Sequence, residues 1–376
     1  MNEFRRKFLI TGMTPNAGGI EAYIMNLVQN IDLEKVHFDF LVNFREPIAF
    51  ECKLKEMGSR VYRLPGRWKH PLRHYLEYIK FFSKYARFYD GIYCNVLSLS
   101  NIDDLLFAKR YQVGMMIVHA HNSSDSGPDL FRLRDFLHNR HKRKIEKLAP
   151  ILLSCSKQAG EWMFGESSKF QVINNAISTH KFKFSSERRR MIRDKLKIDS
   201  SVLVFGTVGR LEIQKNPQFL IEIFCRIKQT FPQAIFLHIG EGSLRPEMEE
   251  KINQYHLENS YLMMGSCEDP SDFYQAMDAF IFPSLYEGLG IALIEAQACG
   301  LPCFVSDTVP DEACIIRKQC MPLSLSRTAD EWAAEIILQM SQQGIVRANS
   351  AELIARAGFD MESEICKIER IICAVP

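Results

Sequence analysis

Residues 283–302 read PSLYEGLGIALIEAQACGLP, and the way this stretch is read decides the fold. It follows an apolar run ending in Phe280-Ile281-Phe282, and a proline-serine turn and a glycine-bearing loop lead into a helix over Ile291 to Cys299. Gly300 and Pro302 stop that helix, a glycine just past the end and a proline soon after. Ile291, Ala292, Leu293, Ile294, Ala296, Ala298 and Cys299 make it apolar or small on nearly every side, which is the pattern of a buried helix. Yet Glu295 lies in its second turn and Glu287 in the loop before it. A buried carboxylate is costly unless something hydrogen-bonds it, so both glutamates need partners. Ligand hydroxyl groups would serve, and the helix start between them suits an anion.

The strand-loop-helix unit recurs. Phe8 to Gly12 is an apolar strand that runs through Met13-Thr14-Pro15-Asn16-Ala17-Gly18-Gly19 into a helix over Ile20 to Gln29. Val202 to Val208 is a second, running through Gly209-Arg210-Leu211 into a helix over Pro217 to Gln229. Further strands are expected near 36–42, 60–64, 91–94 and 114–119, with a helix around 72–87, and then near 234–239, 260–264, 278–282 and 302–305. Continuous apolar strands alternating with helices mean parallel sheets covered on both faces. Ligands of such sheets lie in loops at the carboxyl ends of the strands. The expected class is α/β, with two doubly wound, Rossmann-like domains spanning 1–180 and 181–356 and a returning C-terminal helix in 357–376. Neither half carries a G-x-G-x-x-G fingerprint, so a dehydrogenase is a weak reading.

Bulk composition agrees with two domains. A chain of 376 residues exceeds one ordinary core, and 47% apolar with 24% charged residues is globular composition. No stretch approaches the roughly 20 apolar residues of a membrane span, and MNEFRRKFLITG shows no signal-peptide pattern, so a cytoplasmic protein is expected. Eleven cysteines without a Cys-x-x-Cys pair argue against a disulfide framework or structural zinc and read mostly as small buried hydrophobes. A net charge of +2 says nothing about partners, and no nucleic-acid-binding module is present.

The run Gly209-Arg210-Leu211-Glu212-Ile213-Gln214-Lys215-Asn216-Pro217 carries two cations five residues apart after a strand, with a proline opening the next helix. Arginine can fork onto phosphate oxygens and lysine acts as a point charge, so the loop suits a diphosphate. Together with Glu287 and Glu295, this closely resembles the signature of retaining glycosyltransferases of GT-B architecture, two such domains facing a cleft. Within that class it is similar to the large family of bacterial glycosyltransferases that build capsular and exopolysaccharides, family four, or "glycosyl transferases group 1". The resemblance reaches from the first strand to the last turn.

The resemblance implies roles. Arg210 and Lys215 match the residues that hold the donor phosphates, Glu295 the glutamate that bonds the ribose, and Glu287 the one near the donor sugar. The amides of Gly288, Leu289 and Gly290 would reach sugar and diphosphate, and Gly18 and Gly19 would lie beside the phosphates and the acceptor. The loop at Gly240 and Glu241 would approach base and ribose, although a tight turn explains a glycine there equally well. His119 and His121 close the strand before Asn122; a zinc pair is the competing chemistry, but no further ligand is placed by sequence. The resemblance favours His119 as the histidine near the transferred sugar, with His121 second. It also implies that Phe359 to Cys373 returns to the N-terminal half. No protein nucleophile is established in such enzymes, and the departing phosphate can itself deprotonate the acceptor.

Asp-x-Asp, a common chelating motif, is absent, and Arg210, Lys215 and the helix start at 288–290 can neutralise the leaving group without metal. No cofactor is expected beyond a nucleoside-diphosphate sugar as donor, a UDP-sugar above others. The expected acceptor is a lipid-linked glycan. Residues 131–148 are basic and amphipathic, which fits either an anionic membrane surface or a solvated face, and Arg67-Trp68-Lys69-His70 is a second basic-aromatic spot. Asn174-Asn175-Ala176-Ile177-Ser178 departs from the family's usual Asn-Gly and following aspartate at the domain crossover. Two rivals share the architecture: a nucleotide-sugar epimerase, and a non-catalytic subunit that binds a nucleotide sugar.

Overall fold

The computed structural model describes residues 5–16, 18–67, 70–122, 132–149, 151–342, 347 and 350–374. It forms two units, Met1–Asn175 with Glu362–Pro376, and Ala176–Met361. The chain therefore crosses at Asn175–Ala176 and returns at Met361–Glu362, rather than at 180/181 and 356/357. The short helix Thr179–Phe182 belongs to the second unit, where the Thr179 hydroxyl donates to Asp360 Oδ1 at 2.6 Å.

The first unit holds β1 (Arg6–Thr11), β2 (Val36–Val42), β3 (Val61–Arg63), β4 (Gly91–Val96), β5 (Met115–Ala120), β6 (Ile151–Ser154) and β7 (Gln171–Val172). They form one sheet in the order β3-β2-β1-β4-β5-β6-β7, and every pairing is parallel. The final helix, Met361–Cys373, buries Ile365, Ile368 and Ile372 and is tied to this unit at two points. Glu364 accepts from the Asn174 amide at 3.0 Å and Glu369 from the Asp32 amide at 2.9 Å.

The second unit holds β8 (Val204–Val208), β9 (Ile235–Ile239), β10 (Tyr261–Gly265), β11 (Ala279–Phe282), β12 (Cys303–Ser306) and β13 (Cys320–Leu323), in the order β10-β9-β8-β11-β12-β13, again parallel. All four residues of β11 are buried, as a central strand covered on both faces requires. β13 contains Pro322, which the sequence reading passed over; it is tolerated because β13 is the edge strand. Asp278, just before β11, is almost fully buried and bonds Arg189 at 2.5 Å, Arg193 at 2.6 Å and the Val204 amide at 2.8 Å. It locks the helix Ser186–Lys195 to the starts of β8 and β11.

Strand order reverses between β8 and β11, and likewise between β1 and β4, so the loops leaving these strands diverge. Such switch points are where open α/β sheets take ligands. Both stretches singled out above, Gly209–Pro217 and 283–290, leave the strands at the switch point of the second unit. Four cysteines are buried, four part-buried and three exposed, all free, so burial accounts for only some of them.

Candidate active site

After β8 the chain makes a turn of 3₁₀ helix, Ile213–Lys215, and Asn216 in the left-handed conformation turns it into the helix Pro217–Thr230. The loop after β11 is bound to it. The Leu285 amide donates to the Gln214 carbonyl at 2.8 Å, and Gln214 Nε2 donates to the Tyr286 carbonyl at 3.0 Å. Lys215 Nζ donates to Glu287 Oε1 at 2.5 Å and stands 4.9 Å over the Phe282 ring. Only 17% of the Lys215 side chain and 6% of that of Glu287 is exposed, so solvent screens this pair far less than a surface one. Two donors of the ammonium remain for another acceptor. Arg210 is exposed; its guanidinium makes a long 3.4 Å bond to Gln214, and its charge helps to hold the Glu212 carboxyl below the usual range.

Gly290 caps the helix Ile291–Ala298 at φ 81°, a left-handed conformation that a side chain would strain. Among the described residues nothing accepts from the amides of Gly288, Leu289 or Gly290. Space around the missing Gly288 side chain is open. Among the described residues the loop thus holds three amides without an internal acceptor, directly after the glutamate that Lys215 bonds. Glu295, one turn into the helix, accepts from the Tyr274 hydroxyl at 2.7 Å. Burial raises its pKa to about 7, against the Tyr274 bond, which lowers it. The partner that the sequence required for Glu295 is therefore a tyrosine, with one carboxylate oxygen still free to accept.

Gly240 is explained by packing. With φ at 150°, a side chain there would meet the Gly209 carbonyl oxygen at 1.9 Å, so the loops after β8 and β9 pack backbone on backbone. Glu241 points to Arg245 at 2.5 Å on an exposed face. Neither residue has a geometry that singles it out for a ligand.

Residues 188–355 match the family model for glycosyl transferases group 1. Over 375 residues the chain is 27% identical to the Bacillus subtilis (strain 168) protein EpsF, covering 97% of this chain and 96% of that one. The second unit thus carries the group 1 glycosyltransferase pattern, and the likeness to EpsF runs the length of the chain. Over 160 residues the chain is 29% identical to the Escherichia coli UDP-Gal:alpha-D-GlcNAc-diphosphoundecaprenol alpha-1,3-galactosyltransferase, 42% of this chain and 41% of that one. Its fold is that of Anabaena HepE, solved in complex with UDP and glucose, with a TM-score of 0.72 at 19% identity over 99% of this chain and 100% of that one. These neighbours are GT-B proteins, and the two Rossmann-like sheets are the GT-B parts.

In the first unit, the loop after β1 is held by Glu21. Its carboxylate accepts from the Thr14 amide at 3.0 Å, the Thr14 hydroxyl at 2.6 Å and the Gly18 amide at 3.1 Å. The Gly18 amide is thus used internally, whereas Gly19 has open space around it. The place of Glu21, two residues behind the glycine pair, is the signal that the sequence offers for it. His119 is wholly buried, with Nδ1 at 2.8 Å from the Tyr93 hydroxyl, and His121 Nε2 lies 2.9 Å from Asn95 Oδ1. Burial pushes both imidazoles far down, His121 to about 3, so both are neutral. Tyr93 and Asn95 were not foreseen, since nothing in an apolar strand marks them.

The segment 131–148 forms a helix Arg132–Lys142 and a short helix Ile145–Leu148, with residue 131 outside the described residues. Ile145 and Leu148 are buried in the unit's core, and Lys142 Nζ donates to the Glu161 and Trp162 carbonyls. Arg134, Phe136, Arg140, Arg143, Lys144 and Lys147 face outward. Of the other basic-aromatic spot, Trp68 and Lys69 lie outside the described residues. No described helix is long and apolar enough to cross a membrane. A cavity of about 1110 Å³ bounded by Arg6, Asp90, Met115 and Ile151 opens at the amino ends of β1 and β4–β6, away from the ligand loops.

Proposed function

We propose that this chain is a retaining, metal-independent hexosyltransferase. It moves a sugar from a UDP-sugar to a lipid-linked glycan of a capsular or exopolysaccharide, in the cytoplasm at the inner membrane face. One observation carries the reading: Lys215 and Glu287 meet at 2.5 Å across the switch point, beside three amides with no internal acceptor. Cation and amides suit a diphosphate, and a carboxylate next to them suits the hydroxyls of the sugar attached to it. As the bond from the anomeric carbon to the phosphate oxygen breaks, Arg210, Lys215 and the amides of 288–290 take up the charge developing on that oxygen. Glu295 accepts from the ribose hydroxyls with the oxygen that Tyr274 leaves free. The departing phosphate removes the proton of the acceptor hydroxyl on the same face. His119 orients the sugar.

The printed donor and acceptor of the Escherichia coli relative, and the UDP and glucose bound to HepE, support this choice of donor and lipid carrier. Membrane contact through 131–148 rests on Phe136, 61% exposed among Arg134, Arg140 and Arg143. A panel of nucleotide sugars, each added to the purified chain, tests the reading through the melting temperature. One or more UDP-sugars should raise it, and Lys215→Ala should remove the rise. No response to any nucleotide sugar would overturn the proposal.

A further inference from the structure

The cavity at the amino ends of β1 and β4–β6 takes no part in the reaction proposed above. It arises because one face of the first sheet is covered unevenly. Ile117 pairs with Ile151 and His119 with Leu153, and side chains paired in this way share a face of the sheet. Tyr23 covers that face at its carboxyl end, where its ring stands 4.9 Å from His119. At the amino end the lining is Met115, Ile151 and Leu153 from the strands and Ile371 from the last turn of the terminal helix. A space of about 1110 Å³ is left there. Close-packed interiors do not leave voids of that size, and it exceeds the roughly 300–1,000 Å³ of ordinary small-molecule pockets.

The lining divides into two chemistries. Met115, Ile151, Leu153 and Ile371 are apolar, and none of them is exposed. Arg5, Arg6 and Lys169 add three cations, the first and last of them exposed, and none has an ion pair among the described residues. The carboxylate among the lining residues is Asp90, whose Oδ2 already accepts from the Lys7 amide at 2.7 Å. Three cations set against one carboxylate repel one another unless an anion joins them. A flat bilayer would meet the cations but not the recessed apolar side chains, so the partner must send a tail into the cavity.

We propose that this cavity binds one molecule of an anionic single-chain amphiphile, its phosphate or carboxylate head on Arg5, Arg6 and Lys169 and its tail against Met115, Ile151, Leu153 and Ile371. The site lies at the opposite ends of the strands from the loops after β1 and β5, so its occupant is neither donor nor acceptor of the transfer, and the proposal does not rest on that reaction.

Calorimetry on the full chain with dodecyl phosphate, kept below its micelle concentration, tests this. Binding should be one to one, and shortening the tail to octyl phosphate should weaken it roughly tenfold for each two methylenes removed. Inorganic phosphate has the head without the tail, and dodecyltrimethylammonium has the tail with the wrong charge; neither should bind measurably. Lys169→Glu, at an exposed position with no ion pair to lose, should weaken dodecyl phosphate by about tenfold or more. Met115→Trp, which fills the floor, should abolish binding, and Lys169→Glu carries the test alone if tryptophan at 115 disturbs the sheet. No binding by the wild type, affinity indifferent to tail length, or affinity unchanged in Lys169→Glu would overturn the proposal. So would binding to phosphatidylglycerol vesicles without binding to the monomeric amphiphile, since the cations would then be a surface patch. Lys215→Ala should leave dodecyl phosphate binding intact, and a chain that binds dodecyl phosphate but no nucleotide sugar would count against the donor reading alone.

Discussion

Glu295 carries its chemistry in a pKa. Its carboxyl is lifted to about 7 by burial, whereas an exposed glutamate titrates near 4.5. The sign for stability follows: the folded state binds the proton more tightly, so this contribution is full below about pH 4.5 and is lost as pH rises through about 7. Glu295→Gln should therefore gain stability relative to wild type between pH 5 and pH 8, which denaturant titrations at the two pH values check. Ligand binding has the opposite linkage. Ribose hydroxyls that donate to the carboxylate favour its charged form, so UDP binding near pH 6.5 should release protons, read by calorimetry in buffers of different ionisation enthalpy. Glu295→Gln should abolish the release and weaken UDP by ~1–3 kcal/mol. Proton-neutral binding by the wild type would remove Glu295 from the nucleotide site. The need for a partner was legible in the sequence, because a charged residue broke an otherwise apolar helix. Tyr274 was not, because it lies on another helix and nothing local marks its hydroxyl.

At the scale of elements, the telling contact is Lys215 with Glu287, two residues on separate loops. Each loop could be read alone: two cations before a proline-opened helix, and a glycine turn before a buried one. Their meeting could not, since it depends on β11 pairing with β8 and not with β10, its predecessor in the chain. Hydrophobic periodicity marks strands but carries no strand order. The contact predicts non-additivity. Lys215→Ala should cut kcat/KM by about 10²–10³-fold, and Glu287→Gln should lower kcat while leaving UDP affinity nearly intact. The double variant should fall short of the product of the two losses by a coupling of ~0.5–3 kcal/mol. Strict additivity would show that the pair does not act as a unit. Asp278 makes a separate prediction about folding. It is a buried charge between two arginines, so Asp278→Ala should cost about 3–5 kcal/mol in guanidinium unfolding by taking from both cations the carboxylate they share. A loss below 1 kcal/mol would show the network to be dispensable.

For the whole molecule, two parallel sheets followed from apolar strands repeating with helices; of the four edge strands, β3 and β10 were expected and β7 and β13 were not. β7 has two residues and β13 contains a proline, so neither presents an apolar run. The crossover was placed late because Thr179–Phe182 is too short to show a period and is held by Asp360, a residue far along the chain. The Lys215–Glu287 contact at the switch point of the second sheet is the basis for the proposed reading as a catalyst of sugar transfer rather than a scaffold. In the proposed reading Arg210, Lys215 and the 288–290 amides carry the leaving-group charge, so activity should persist in excess chelator; loss on chelation with recovery on added manganese would contradict that part. The most direct measurement is the product itself. The chain is incubated with α-linked UDP-sugars and an undecaprenyl-diphosphate-linked sugar, with chelator present, and the new linkage is read by NMR. The account predicts an α-linkage formed by the wild type and not by Lys215→Ala; a β-linkage, or transfer that Lys215→Ala leaves untouched, would contradict it.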